Sequence, residues 1–197
     1  AGVEMHEGRG VIDDPHTVEV NGKRFTAKNI VIATGGRAFV PRFEGSDLAM
    51  VSDHALEVKE VPKSIAIIGG GYIGVEFAGI FANLGSQVEL ICRQPAPLRG
   101  FDHEVRKFSA EQYTLNGINL NMLRQPKKIV RKPNGKLEVT IVCSHGNNPD
   151  KVLEVDQVML ATGRKPNVAN LGLENAGVEL SERGAVKVDE YSRTTCP

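Results

Sequence analysis

The feature that most constrains the fold is a glycine-rich turn directly after an apolar run. Residues 64–68 read Ser-Ile-Ala-Ile-Ile, and residues 69–74 read Gly-Gly-Gly-Tyr-Ile-Gly, which fits the pattern G-x-G-x-x-G. In that pattern the first glycine permits a tight turn, the second lets a pyrophosphate approach the main chain, and the third lets a helix pack closely on a strand. We therefore predict a dinucleotide-binding site here, the alternative being a purely structural turn.

The residues around the turn predict a strand, helix, strand unit. Apolar residues follow the glycines at helical spacing, namely Ile73, Phe77, Ile80, Phe81 and Leu84. Gly85 predicts the end of that helix, and residues 87–92 predict the next strand. Asp102 predicts the cap of a second helix that runs to 116–117, and residues 118–123 predict a third strand.

Short alternating runs predict antiparallel strands on both sides of this unit. Residues 11–12, 17–20, 24–26 and 29–33 predict a meander, with a hairpin turn at Asn21-Gly22 because both residues tolerate positive φ.

Further along, a Pro-Asn-Gly turn at 133–135 joins predicted strands at 127–131 and 136–143, and residues 153–161 predict one more strand. Ser52-Asp53 predicts the start of a short helix before Pro62.

The tripeptide Ala-Thr-Gly occurs twice, at 33–35 and at 161–163, each time after an apolar run. Small residues at the carboxyl edge of a sheet let the backbone approach a ligand closely. The repetition predicts two strand ends in two related nucleotide-binding layers, and the alternative is an ordinary strand followed by a turn.

The residues after the second predicted strand indicate which dinucleotide is bound. NAD selectivity uses an acidic residue about 20 residues past the glycines to accept hydrogen bonds from the ribose. Here the strand ends at Cys92, with Arg93 next and Arg99 shortly after. Guanidinium groups offer forked donors that match a 2′-phosphate, so the pair predicts NADP(H), unless both are merely solvated surface arginines.

Composition excludes other classes of partner. The chain has 24 Lys+Arg against 24 Asp+Glu, so no summed field attracts nucleic acid or an anionic membrane. No apolar stretch approaches the roughly 20 residues that cross a bilayer. Cys92, Cys143 and Cys196 lack metal-site or disulfide spacing, which predicts no metal and free thiols in a reducing compartment. We expect a cytoplasmic location, with the chloroplast as the alternative, and an internal fragment of a longer polypeptide.

Five separated motifs together resemble the glutathione reductases, in their plant and algal form, within the FAD- and NADPH-dependent pyridine nucleotide-disulfide oxidoreductases. They lie at residues 69–81, 91–93, 98–102, 161–164 and 188–194. The motifs fall in the family's order, and the resemblance covers essentially the whole chain. Trypanothione reductase and a stand-alone nucleotide-binding module remain as alternatives.

The resemblance implies an α/β fold in which a Rossmann-like NADPH-binding domain, of a three-layer ββα type, is inserted in the remaining part of an FAD-binding domain. By this similarity residues 1–61 are the C-terminal portion of the FAD-binding domain with its β meander. Residues 62–186 are then the NADPH-binding domain, and residues 187–197 return to the FAD-binding domain.

The resemblance also implies cofactor-binding residues. Beside the motif glycines Gly69, Gly71 and Gly74, the implied NADPH contacts are Gly70, Ile73, Glu76, Arg93, Arg99 and Gly163, with Tyr72 as the ring over the nicotinamide pocket. The implied neighbours of FAD are Gly10, Thr34, Gly35 and, near the flavin, Arg164. The family often has Ala in place of Gly74, an exchange that we expect to change little.

The implied activity is that of a homodimeric enzyme in which NADPH reduces FAD, the flavin reduces a cysteine pair, and that pair reduces oxidised glutathione. The family's redox C-x-x-x-x-C and its catalytic His-Glu pair match no residues of this chain. We therefore assign no catalytic residue here and expect the chain alone to bind NADPH without turnover.

Overall fold

The computed structural model describes residues 2–146 and 148–196. Residues 1 and 197, with which the first predicted domain range begins and the last one ends, lie outside the described part. Its strands are β1 Gly10–Asp14, β2 Thr17–Val20, β3 Lys23–Thr26, β4 Gly36–Ala38, β5 Ser64–Ile68, β6 Gln87–Cys92, β7 Asn119–Met122, β8 Arg124–Arg131, β9 Leu137–Cys143, β10 Lys151–Val155, β11 Gln157–Leu160 and β12 Arg164–Pro166. Its helices are α1 Ser52–Ala55, α2 Tyr72–Asn83 and α3 His103–Leu115, with 3-10 turns at Ser46–Leu48 and Leu173–Ala176.

The described chain divides into two units, one of which interrupts the other along the sequence. The continuous unit runs from Ala38 to Gly163. The discontinuous unit combines the residues up to Arg37 with those from Arg164 onward. The mixed α/β class and the insertion of one unit in another agree with the predicted fold.

A four-stranded parallel sheet is the centre of the continuous unit. Its strand order is β11-β5-β6-β7, so the strand order reverses at β5. Every residue of β5 is buried, as expected for a parallel strand that is covered on both faces. The predicted strand, glycine turn, helix, strand unit is therefore confirmed, and it occupies the middle of the sheet.

The parallel sheet lies between a helical layer and a second sheet. On one face Ile65, Ile67 and Leu90 share a core with Val75 and Phe81 of α2. On the other face Ala66, Ile68 and Ile91 pack with the antiparallel sheet of order β10-β9-β8, through Ile129, Val139 and Ile141. This arrangement confirms the three predicted layers.

Two of the predicted helix boundaries are confirmed by local geometry. The Asp102 carboxylate accepts hydrogen bonds from the backbone N–H of Glu104 at 2.8 Å and of Val105 at 3.3 Å, which caps α3. Gly85 follows α2 with a φ of 93°, in the left-handed region where glycine is favoured.

In the part of the chain that the structure describes, no helix has the length and apolarity to cross a membrane.

The single strand predicted over 153–161 is wrong, because the structure divides it at Asp156. β10 belongs to the antiparallel sheet and β11 to the parallel sheet. Between them the Asp156 carboxylate accepts hydrogen bonds from the Ser64 N–H at 2.8 Å and from the Ser64 hydroxyl at 2.7 Å. The backbone N–H of Asp156 donates in turn to the Ser64 hydroxyl at 3.0 Å, so this residue fixes the point where the chain changes sheets.

The discontinuous unit contains the antiparallel meander. β1, β2 and β3 pair in that order, and the predicted hairpin turn is confirmed by positive φ at Asn21, 52°, and Gly22, 76°. A small core of Ile12, Leu173, Ala176 and Val178 lies beside it. A two-stranded sheet of β4 and β12 was not predicted.

The strand predicted over 29–33 is also wrong. The alternation that suggested it is present, since Ile32 packs against the small core while Val31 is 86% exposed. A strand, however, needs a neighbour for its backbone N–H and C=O groups, and among the described residues none pairs with this segment. Of the two Ala-Thr-Gly sequences, therefore, only the one at 161–163 follows a strand.

We expect the Asp156→Asn variant to lose about 1–2 kcal/mol of unfolding free energy near neutral pH, because charge-assisted hydrogen bonds to Ser64 weaken. The Ser64 hydroxyl above all holds the pKa of Asp156 below its ordinary value. A lowered folded-state pKa contributes stability above the unfolded-state pKa that is lost as pH falls through the folded-state pKa.

Chemical denaturation of both proteins between neutral and acidic pH measures this effect. The difference between wild type and variant should shrink on acidification, and a constant difference would contradict the assignment. Asp150→Asn is the matched control, because among the described residues the Asp150 carboxylate pairs only with Lys127, at 3.2 Å and in an exposed setting.

Candidate dinucleotide-binding site

The glycine turn lies at the carboxyl ends of three neighbouring strands. The backbone N–H of Gly69 donates to the Ile91 carbonyl at the end of β6, at 2.9 Å. The N–H of Ala161, just past β11, donates to the Ile68 carbonyl at 2.8 Å. Open α/β sheets bind ligands at this edge, where the strand order reverses, so the turn occupies the position of a nucleotide site.

Three of the four glycines in the turn lie too close to neighbouring atoms for a side chain, two of them against backbone and one against a side chain. A Cβ at Gly69, where φ is 127°, would overlap the Ala161 carbonyl, and a Cβ at Gly74 would overlap the Gly69 carbonyl. A Cβ at Gly70 would lie 2.5 Å from the Cys92 sulfur. The expectation that Ala could replace Gly74 with little effect is therefore wrong for this turn, because the obstructing atom is backbone.

Gly71 differs from its neighbours, because a Cβ there would meet nothing within 4 Å and its φ is −77°. Gly71 is the N-cap of α2, and it provides no side-chain cap; the first turn of α2 also contains no acidic residue. The N–H groups at the start of a helix lack partners within the helix and carry roughly half a positive charge. This open, uncapped helix start fits a diphosphate, as the motif predicts.

The contrast with α3 strengthens this interpretation. α3 begins with the carboxylate of Asp102 on its free N–H groups, and Glu104 lies in its first turn. Among the described residues, a carboxylate therefore already occupies the start of α3, whereas none caps the start of α2. Of these two helix starts, the one in the glycine motif is the one able to receive a phosphate.

Arg93 and Arg99 lie on one loop that contacts the glycine turn. Arg93 follows the last residue of β6, both arginines are exposed, and the Leu98 N–H donates to the Gly70 carbonyl at 2.7 Å. Within residues 2–146 and 148–196, no carboxylate lies within 4.0 Å of either guanidinium. The structure thus places two uncompensated positive charges on a loop that is bonded to the turn.

Leu98 is a site residue that sequence reasoning missed. Its φ is 56°, its side chain is only 8% exposed, and its amide joins the arginine loop to the glycine turn. A leucine in the left-handed region has no sequence signal, because the conformation is imposed by tertiary contacts rather than by residue preference.

Three predicted residues lie on the first two turns of α2. Tyr72 is 56% exposed, Ile73 is half-buried against the core below the helix, and Glu76 is exposed. Burial raises the pKa of the Tyr113 hydroxyl on α3, and the negative charge of Glu76 raises it further. Tyr72 is the first residue of α2, so its exposed ring follows directly on the N-cap Gly71.

Gly163 belongs to the segment that closes the other side of the turn. A Cβ at Gly69 would lie 3.1 Å from the Thr162 nitrogen, so residues 161–162 border the turn directly. The Thr162 hydroxyl donates to the Phe39 carbonyl at 2.7 Å, and the Gly163 carbonyl accepts from the Phe39 N–H at 2.9 Å. Gly163 itself has a φ of 131°, and a Cβ added there would meet nothing within 4 Å.

The predicted neighbours of FAD lie in the discontinuous unit, which does not contain the glycine turn. Gly10 is the first residue of β1 and pairs with Val20. The carbonyls of Thr34 and Gly35 accept hydrogen bonds from the side chain and backbone of Asn167, at 3.4 Å and 3.0 Å. The Arg164 guanidinium donates to the Gly36 carbonyl.

Sequence comparisons agree with the resemblance. The family model described as pyridine nucleotide-disulphide oxidoreductase matches residues 1–197. Glutathione reductase of Pisum sativum, chloroplastic/mitochondrial, is 45% identical over 100% of this chain and 35% of its own length. Glutathione reductase of Burkholderia cepacia is 43% identical over 100% of this chain and 42% of its own length. Mercuric reductase of Staphylococcus aureus is 38% identical over 98% of this chain and 35% of its own.

A solved structure also matches. The HOCl-induced flavoprotein disulfide reductase RclA from Escherichia coli superimposes with a TM-score of 0.83 at 32% identity, covering 96% of this chain and 42% of that one. The chain thus spans well under half the length of each of these four proteins.

We expect Gly71→Ala and Gly74→Ala to separate ligand binding from folding. Gly71→Ala adds a methyl group into open space at an ordinary φ, so unfolding free energy should change by less than about 1 kcal/mol while dinucleotide affinity falls. Gly74→Ala forces the turn and α2 apart, so it should destabilise the fold by about 2 kcal/mol or more.

Thermal unfolding and a dinucleotide titration of both variants measure the two effects. A Gly71→Ala protein that binds dinucleotide as tightly as wild type would exclude the open side of the turn as the diphosphate site.

Proposed function

Because the chain belongs to the pyridine nucleotide-disulphide oxidoreductase family, we propose that it is the NADP(H)-binding part of a flavoprotein disulfide reductase that reduces oxidised glutathione. The observation that carries the proposal is the loop with Arg93 and Arg99, bonded through Leu98 to the glycine turn. The glycine turn alone accounts for a dinucleotide, and the two guanidinium groups account for the additional phosphate of NADPH.

The phosphate-binding residues divide into two sets. Backbone N–H groups at Gly70, Gly71 and the start of α2 receive the diphosphate, whose charge the helix dipole favours. Arg93 and Arg99 pair with the 2′-phosphate on the adenosine ribose, and the strand end at Cys92 presents no carboxylate to repel it. A phosphate between two such groups is held by charge-assisted bonds that a ribose hydroxyl cannot form.

The remaining residues act toward the nicotinamide end of the cofactor. Tyr72 covers the ring, while Ile73, Glu76 and Gly163 line the space around it. Bound NADPH supplies a hydride for transfer to a flavin. The contribution of this chain is to hold and orient the dinucleotide, and we assign it no catalytic residue.

The discontinuous unit is proposed to contribute to the FAD site through Gly10, Thr34, Gly35 and Arg164. We retain the proposed limits of the FAD-binding portion, residues 1–61 and 187–197, and of the NADPH-binding domain, residues 62–186. The whole enzyme is proposed to be a homodimer in the cytoplasm, with the chloroplast as the alternative.

Oxidised glutathione is the proposed substrate because two glutathione reductases match this chain at higher identity than the mercuric reductase does. The chain covers only part of these relatives, so the substrate test uses the complete polypeptide that contains these residues. NADPH oxidation that depends on oxidised glutathione supports the proposal, whereas oxidation that depends on Hg(II) alone would replace it.

We expect the chain to bind NADPH about 100-fold more tightly than NADH, since two charge-assisted hydrogen-bonded contacts serve only the 2′-phosphate. Arg93→Gln together with Arg99→Gln should remove that preference by weakening NADPH binding, with little effect on NADH. Calorimetric titration of each protein with both cofactors measures the four dissociation constants.

Arg131→Gln is the matched control, because Arg131 is an exposed arginine of the antiparallel sheet whose guanidinium donates to the Gly135 carbonyl at 3.4 Å. It should leave both affinities unchanged. Equal affinities of the wild-type chain for NADPH and NADH would refute the cofactor assignment.

A further inference from the structure

We propose that Arg106 is a positioning residue for cofactor selectivity, which holds the arginine loop, residues 93–99, in the shape that presents Arg93 and Arg99 to the 2′-phosphate. The proposal deepens the proposed function and rests on it. Arg106 lies on α3, outside the glycine motif and outside the loop that it holds.

The arginine loop is short of backbone donors of its own. Residues 94–97 read Gln-Pro-Ala-Pro, so two of four positions lack an N–H while all four carry a carbonyl. A partly buried carbonyl needs a donor from elsewhere. The Gln94 carbonyl accepts from the Leu123 N–H at 3.2 Å, and the carbonyls of Ala96 and Pro97 depend on a side chain.

Arg106 is that side chain. Its Nε donates to the Pro97 carbonyl at 2.9 Å, and its Nη2 donates to the Ala96 carbonyl at 3.1 Å, both in a part-buried setting. A guanidinium presents several donors in one rigid plane, so it bridges two successive carbonyls in a way that a single ammonium cannot. The Cys92 thiol also faces the Ala96 carbonyl, but as a weak donor at 3.9 Å.

The backbone of Arg106 is held in the first turn of α3. The backbone N–H of Arg106 donates to the Asp102 carbonyl at 3.0 Å, in the turn of α3 that the Asp102 side chain caps. Arg106 therefore starts from a fixed point on the helix, and the loop carbonyls are fixed relative to α3.

The bonds from Arg106 act next to the residue that carries Arg99. Pro97 precedes Leu98, whose amide is bonded to Gly70 and whose carbonyl accepts from the Phe101 N–H at 3.0 Å. Leu98 adopts a φ of 56°, a conformation that is strained for a non-glycine residue and persists only where neighbours impose it. Without Arg106 the loop loses two bonds at this strained point, so Arg99 and Arg93 lose their fixed placement.

Arg106 also carries a charge, which gives a rival explanation. In the described part of the chain no carboxylate lies within 4.0 Å of its guanidinium, so its field alone would attract a phosphate. A lysine keeps that charge and loses the two-carbonyl bridge. The Arg106→Lys variant therefore distinguishes positioning from simple attraction.

The test measures dissociation constants of the full chain for NADPH and NADH in Arg106→Met, Arg106→Lys and the control Arg131→Met. We expect Arg106→Met to weaken NADPH binding about tenfold while NADH binding stays within about twofold, and Arg106→Lys to lose most of the same affinity. Arg131→Met should bind both cofactors as wild type does. Wild-type NADPH affinity in Arg106→Lys, or equal losses for both cofactors, would overturn the proposal.

A double-mutant cycle supplies the readout that a merely structural role would not produce. Added to Arg93→Gln and Arg99→Gln, Arg106→Met should cause no further loss of NADPH affinity, because Arg106 acts through those two residues. A further tenfold loss would overturn the proposal, and if Arg106→Met does not fold, Arg106→Lys in the same cycle gives the answer.

Failure of this inference is distinct from failure of the proposed function. If the wild-type chain binds NADPH and NADH equally tightly, the proposed function itself is wrong. If the preference for NADPH depends on Arg93 and Arg99 but not on Arg106, only the positioning role of Arg106 is wrong.

Discussion

The close contact of backbone with backbone at the glycine turn is the constraint on which the site depends. Gly74 approaches the Gly69 carbonyl and Gly69 approaches the Ala161 carbonyl, with no room for a side chain between them. This contact lets α2 begin directly at the end of β5, at the point where the strand order reverses. The free start of the helix therefore lies at the ligand-binding edge of the sheet without any additional segment to place it there.

The positive potential of the candidate site comes from local charges rather than from the total charge of the chain. The chain has a formal net charge of zero, which says nothing in favour of an anionic partner. Yet two sources of positive charge lie on neighbouring segments. The glycine turn leads into the uncapped start of α2, and the loop with Arg93 and Arg99 is bonded to that turn through the Leu98 N–H and the Gly70 carbonyl. A neutral protein thus concentrates positive potential in one small region, which suits a small phosphorylated ligand and does not attract bulk polyanions.

Features set by local chemistry could be predicted from the sequence. The Asn21-Gly22 turn and the Asp102 cap depend on a few adjacent residues, and the strand, turn, helix unit depends on one motif. The break at Asp156 could not be predicted, because it is made by Ser64, far away in the sequence. The same limit applied to the site, where the glycines and arginines were evident but the bond that joins their loops was not.

The hydrogen bonds between Phe39 and residues 162–163 bring the two ends of the continuous unit side by side. A segment whose ends already meet adds little closure entropy to the polypeptide that carries it, whatever its own length. Chain closure between residues 38 and 163 therefore costs little entropy, and these two positions are where we expect a cut or a junction to disturb the polypeptide least.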